Sequence, residues 1–185
     1  QNFKPSKGFF RSEWVGWENF TFVANLPGID RVMINTIVIA FCKMVLNIIV
    51  PLTFALLLNE VKKQGLKRGI QTLVYLPNFM SWVILSGIFI DILSPSDGLV
   101  NKIITAFGFE PIYFLGDKFW FPVTMVITDV WKNFGFGSII YLAALTNVDP
   151  NLYEAAAIDG ASRFKQTIHV TLPGIAPIIV LMTVL

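Results

Sequence analysis

The chain has 185 residues, 55% of them apolar and only 14% charged, with a mean hydropathy of +0.66 and a net charge of +2. About a quarter of the residues of a soluble protein are charged. This balance therefore excludes a disordered chain, disfavours a soluble enzyme, and leaves no basic footprint for nucleic acid. A single cysteine, Cys42, and a single histidine, His169, exclude a disulfide framework and a Cys/His metal centre.

Residues 1–32 read as a segment outside the membrane that follows a span not present here, and 33–185 as a membrane core. The sequence opens at Gln1 without Met and ends at Leu185 inside an apolar run, so the expectation is the middle of a longer protein. Three stretches, 33–58, 73–93 and 120–145, have the roughly 20 apolar residues that a helix needs to cross a bilayer. A fourth opens at 175. Pro51, Pro77 and Pro122 lie within spans, where neighbouring groups can satisfy the freed backbone. Lys62, Lys63, Lys67, Arg68, Arg163 and Lys165 fall in 59–72 and 146–174. Only Lys102, Lys118 and Arg31 lie near the membrane on the other side. Lys4, Lys7 and Arg11 are too distant to count. The positive-inside rule then puts 59–72 and 146–174 in the cytoplasm, and 94–119 and the N-terminal segment outside. The SPSDG stretch at 94–98 reads as a turn, and 99–107 as a short helix near the surface.

Ionisable residues inside spans are costly and usually face a cavity or a partner. Counted from the outer ends at about 1.5 Å per residue, Lys43 lies about 15 Å deep, Asp129 about 13.5 Å and Lys132 about 18 Å. Two readings fit: a polar path lined by Lys43, Asp129, Lys132 and Asn133, or an interhelical ion pair that only holds the bundle together. Pockets combine apolar walls with a few polar groups, which makes Trp82, Trp131, Asn133 and Tyr141 candidate ligand contacts. Aromatic residues at span ends, such as Trp120 and Phe121, read as interfacial anchors.

The 146–174 segment has its own pattern. Asp149-Pro150 is a helix start, and Glu154 near it suits the helix dipole. Leu152, Ala155, Ala156, Ile158 and Ala161 recur at helical spacing. Gly160 permits a sharp turn. The helix either docks a soluble partner or rests on lipid headgroups.

Glu154-Ala155-Ala156, three residues, Gly160, nine residues, then Val170-x-Leu172-Pro173 resembles the EAA loop of binding-protein-dependent ABC importer permeases. Val170 replaces the usual isoleucine. WVGWENF at 14–20, Asn35-Thr36, YLP at 75–77, DGLVN at 97–101, WKNFGF at 131–136, LAAL at 142–145 and TNVDPNLYEAA at 146–156 are similar to the carbohydrate-uptake branch, especially to permeases for oligosaccharides from complex polysaccharides. The resemblance implies an all-α polytopic fold of the type I importer class, usually with six spans, in a bacterial cell membrane. It implies a second, different permease subunit, a cytoplasmic ATPase dimer, an extracytoplasmic binding protein and a sugar substrate. It makes Glu154, Ala155, Ala156, Gly160, Leu172 and Pro173 the ATPase-coupling positions. The sequence lacks a GxxxxGK[ST] stretch, so ATP and Mg are assigned to the partner ATPase and no cofactor to this chain. The alternative reading is a membrane-embedded enzyme acting on a lipid-linked or sugar substrate, with Asp91 and Asp129 as acid and base. Their depths differ by roughly 10 Å, which argues against a shared site.

Overall fold

The structure, a computed structural model, describes residues 8–11 and 14–184. Lys4, Lys7 and Leu185 lie outside them. The chain forms two compact units, Gln1–Val38 and Ile39–Leu185. The first holds α1 (Gly8–Arg11), α2 (Glu18–Ala24) and the opening of α3 (Ile29–Asn59). Trp17 and Phe20 pack at a ring separation of 5.0 Å where α2 begins.

The second unit continues with α4 (Gln64–Tyr75), a 3-10 turn (Leu76–Phe79), α5 (Trp82–Ile92), α6 (Leu99–Ala106), α7 (Trp120–Thr146), α8 (Pro150–Ile158), α9 (Arg163–Gln166) and α10 (Leu172–Val184). Among the described residues, α3 and the run Arg163–Val184 are long and apolar enough to cross a membrane, and the bent pair Gln64–Phe79 plus Trp82–Ile92 qualifies if it is one span.

Of the predicted spans, 73–93 differs in shape from the expectation, and 120–145 has the expected shape. The 73–93 stretch is not one helix: the chain bends by 101° at this break. Pro77 sits at the start of the 3-10 turn, and Met80 and Ser81 are extended. The Ser81 hydroxyl then accepts from the Val83 amide at 3.0 Å, starting α5 afresh. The 120–145 stretch is the single helix α7, about 40 Å long by its rise, but it is more polar than a free-standing span. It buries ten of its residues, Thr124, Thr128, Lys132 and Ser138 among them, so protein rather than lipid covers much of its surface.

The 146–174 segment is mostly helix. After α8 and a short turn, helical backbone runs from Arg163 to Val184, widening to a π turn at Thr167–Thr171. The fourth predicted span thus begins twelve residues before 175, and Leu172 and Pro173 lie within its helix rather than in a loop.

The core of the second unit is Ala55 of α3, Tyr141, Ala144 and Leu145 of α7, Val148 beyond it, and Ile175 of α10. Close approach of α7 to α4 depends on Gly135: a Cβ there would collide with the Val74 carbonyl oxygen. Between α5 and α7 the chain is organised by Asn101, which is 2% exposed. Its amide donates to the carbonyls of Ser94 and Ile112, both at 3.0 Å, and its Oδ1 accepts from the Ile112 amide at 2.7 Å. This residue closes the loop, and α6 lies within it as the pattern at 99–107 predicts.

Candidate functional site

Two regions of the second unit have functional geometry. The first is a cleft of about 540 Å³ between α3, α5 and α7, lined by Lys43, Trp82, Phe89, Phe121, Thr128 and Asp129 among others. Lys43 and Asp129, 86 residues apart, meet at 3.1 Å. Asn47 donates to the second Asp129 oxygen, also at 3.1 Å. Similar depths counted from the sequence thus correspond to a direct pair. The sequence pattern does not by itself single out Asn47 as a partner. The signal it does carry is position: Asn47 follows Lys43 by four residues and so shares its helix face.

Lys132 and Asn133 do not line this cleft. Lys132 is 7% exposed. Its ammonium donates to the Asn78 carbonyl oxygen at 3.0 Å and lies 5.4 Å from the centre of the Trp82 ring, a cation–π distance. Asn133 Oδ1 accepts from the side-chain amide of Asn78 at 3.3 Å. Both bind the bend between α4 and α5. Trp131 stands beside the cleft, its ring edge-on to Phe89 at 5.7 Å. Tyr141 is a correction to the candidate contacts. It is 0% exposed and sits in the core, with no hydrogen-bond partner for its hydroxyl. It is closed to a ligand. Asp91 is exposed and does not line the cleft, and both oxygens of Asp129 are already engaged. The acid–base pair of the enzyme reading is not assembled.

The second region is α8 and the turn after it. Asp149 caps α8 by accepting from the Asn151 amide at 2.9 Å, with Pro150 in the first turn. Glu154 is the fifth residue of this helix, past the turn where the dipole acts on a charge. The dipole account of Glu154 therefore does not hold. Tyr153 Oη and Thr171 Oγ1 lie 3.0 Å apart, tying α8 to the π turn. Leu152 at 51% and Ile158 at 87% exposure leave an apolar face open, and Phe164 beyond the turn is also exposed. Ala155 is exposed and Ala156 half-buried against the chain. Gly160 has φ +75°, and no atom lies within 4 Å of where its Cβ would be. Backbone hand, not crowding within the chain, is what requires glycine here. His169 Nδ1 lies 3.0 Å from the Lys165 carbonyl oxygen, which makes it a local backbone contact.

Residues 47–185 match the family described as binding-protein-dependent transport system inner membrane component. The chain belongs to this family. It is 42% identical over 185 residues to the polygalacturonan/rhamnogalacturonan transport system permease protein YteP of Bacillus subtilis, covering all of this chain and 58% of that protein. It is 35% identical to the lactose transport system permease protein LacF of Rhizobium radiobacter over 93% of this chain and 58% of that one. Among solved structures it is similar to a bacterial ABC transporter involved in the import of the acidic polysaccharide alginate, with a TM-score of 0.87, 36% identity, and coverage of 95% of this chain and 61% of that one. The inner-membrane family and this likeness establish the all-α importer permease fold. The chain spans somewhat more than half the length of these relatives.

Proposed function

We propose that this member of the inner-membrane component family is a permease subunit of an ATP-driven importer of a sugar or oligosaccharide, and that it transports rather than catalyses. The observation that carries the reading is the arrangement of α8. A capped helix presents Leu152 and Ile158 outward, and a hydrogen bond and a short link fasten its other side to the two long helices beside it. A push on α8 from a cytoplasmic ATPase passes into α7 through residues 147–149 and into α10 through Tyr153 and Thr171. The EAA positions Glu154, Ala155, Ala156 and Gly160 lie on α8 and its turn, while Leu172 and Pro173 open α10. The relatives named for saccharide transport support the sugar assignment, and a related structure holding an alginate pentasaccharide-bound periplasmic protein supports a binding-protein partner. In this reading a second permease completes the path, and ATP and Mg belong to the ATPase. The cleft at Lys43 and Asp129 is the part of the path that this chain contributes.

The test uses the full-length protein with its companion permease, ATPase and binding protein, reconstituted in vesicles. The expected result is saccharide uptake that requires both ATP and the binding protein. An assembled complex that hydrolyses ATP but takes up no saccharide overturns the reading.

A further inference from the structure

The side chains with polar groups that line the cleft are Lys43, Trp82, Ser86, Thr124, Thr128 and Asp129. Three are hydroxyls whose protons are already committed. Ser86 donates to the Val83 carbonyl at 2.9 Å, Thr128 to that of Thr124 at 2.8 Å, and Thr124 to that of Phe114 at 3.4 Å. What they offer the cleft is lone pairs, suited to the O–H donors of a sugar. Both oxygens of Asp129 are engaged, one by Lys43 and one by Asn47. Lys43 differs. An ammonium has three donors, and among the described residues Lys43 uses one of them. It is also the more open member of the pair, at 34% against 19% for Asp129. Among the described residues, the unspent donors lining the cleft are thus the Trp82 indole N–H and the Lys43 ammonium, and of these only Lys43 carries charge.

We propose that Lys43 is the charge-selective contact of the cleft, and that the ligand it takes is an acidic oligosaccharide presenting a uronate carboxylate. This rests on the transport reading above and adds the substrate class. The ammonium rests on Asp129 and moves onto the sugar carboxylate as it passes. The ammonium exchanges one carboxylate partner for another, so its charge stays paired throughout, as a group at this depth requires. Asp129 is not stranded when Lys43 leaves, because Asn47 still donates to it. One point charge, with no arginine and no second cation in the cleft, matches a singly charged carboxylate better than a phosphate dianion, which draws several charge-assisted donors. Trp82 and Phe121 supply ring surface for the apolar faces of the sugar.

The experiment is ATP-driven uptake by the complete complex in phosphatidylcholine vesicles, which carry no anionic lipid to occupy Lys43. Two matched substrates are compared: an oligogalacturonide and its carboxyl-reduced, neutral counterpart. The readout is the ratio of acidic to neutral uptake. Lys43→Gln is expected to lower that ratio about tenfold, as loss of a hydrogen bond to a charged group would, and Lys43→Arg to retain most of it. An unchanged ratio, or an equal loss of both substrates, overturns the proposal. Should Lys43→Gln fail to assemble, Asp129→Asn decides. Freed from its resting partner, Lys43 should raise the ratio, and a constant or falling ratio overturns the proposal. Parent complex that imports neither sugar despite ATP hydrolysis indicts the transport reading instead, so the two failures are distinct.

Discussion

The Lys132 ammonium donates to the Asn78 carbonyl oxygen at 3.0 Å, joining α7 to the point where the chain between α4 and α5 bends by 101°. A bend interrupts the helical hydrogen-bond ladder, and carbonyls at the end of a helical turn need another donor. Lys132 supplies one, and the face of Trp82 helps to hold the charge. Lys132→Met should therefore lower the stability of the assembled protein by about 1–3 kcal/mol, the usual cost of leaving a buried polar group unpaired. Lys132→Arg should recover part of it. The check is the thermal denaturation midpoint of the purified complex in detergent. A midpoint for Lys132→Met equal to the parent's would mean that the bend holds without this tie.

That bend shows how far the sequence could be read. Hydropathy located the apolar stretch at 73–93 but averaged across its interruption. The local signs were there, in Pro77 and in Ser81 standing one residue before Trp82, a helix-start pattern. They were outweighed by span length. The α7 helix has the opposite difficulty. Its polar and apolar residues are not sorted onto opposite faces, so no amphipathic phase tells which face is covered, and Tyr141 reads as a pocket residue when it is a core residue. Motif spacing succeeded where the physics is local: the Asp149 cap, Pro150 in the first turn and the left-handed Gly160 all follow from neighbouring residues. Pairings such as Asn47 with Asp129 depend on how helices far apart in sequence meet, which composition does not encode.

Asn101 offers a sharper test of packing. Its amide faces three carbonyls and its own oxygen takes the Ile112 amide. Asn101→Leu fills similar space but leaves these groups unpaired, at a cost of about 1–3 kcal/mol for each that water cannot reach. Asn101→Asp should be worse near neutral pH, because a carboxylate would face carbonyl oxygens. Limited proteolysis within 94–119 reads the effect directly, with the expected order of cleavage Asp fastest, then Leu, then parent. Equal cleavage of all three would show that the loop is held by other contacts.

Asp117 connects the same loop to α7. Its Oδ1 accepts from the amides of Phe119 at 2.8 Å and Trp120 at 2.9 Å. Those donors, Trp120 foremost and then Phe119, hold its carboxyl below the usual carboxylate range. A lowered value favours the charged form in the folded state. The stabilisation is therefore present above the ordinary carboxylate pKa and disappears as pH falls through the lowered value. Hydrogen exchange over 117–122 should be slower in the parent than in Asp117→Ala at neutral pH, and the difference should vanish in strong acid. Asp117→Asn, which keeps the acceptor without the charge, should show partial protection that does not vary with pH. No difference between parent and Asp117→Ala at neutral pH would remove the cap from the account of how α7 begins.

The turn after α8 supplies the last test, because its two possible causes predict different variants. If crowding within the chain required glycine at 160, any side chain would fail in proportion to its size. The structure shows open space there and a φ of +75°. The requirement is then conformational. A left-handed residue other than glycine costs roughly 1–2 kcal/mol, most for a β-branched side chain and least for asparagine, which visits this region more readily than other residues. Gly160→Val should insert and assemble its membrane helices normally, since α8 and its turn are exposed, while on the proposed transport function the strain shifts the turn and weakens docking of the proposed ATPase partner. If about 1.4 kcal/mol of that strain is drawn from docking, ATPase retention falls about tenfold, and uptake falls with it while ATP hydrolysis runs uncoupled. Gly160→Asn should keep more than half of the parent's coupled uptake, although its side chain is about as large as that of valine. The measurement is uptake per ATP hydrolysed in vesicles holding the full complex, together with the ATPase that co-purifies. Equal loss in the Asn and Val variants would point to contact with the partner's surface rather than backbone hand, and full coupling in Gly160→Val would mean that α8 does not carry the stroke.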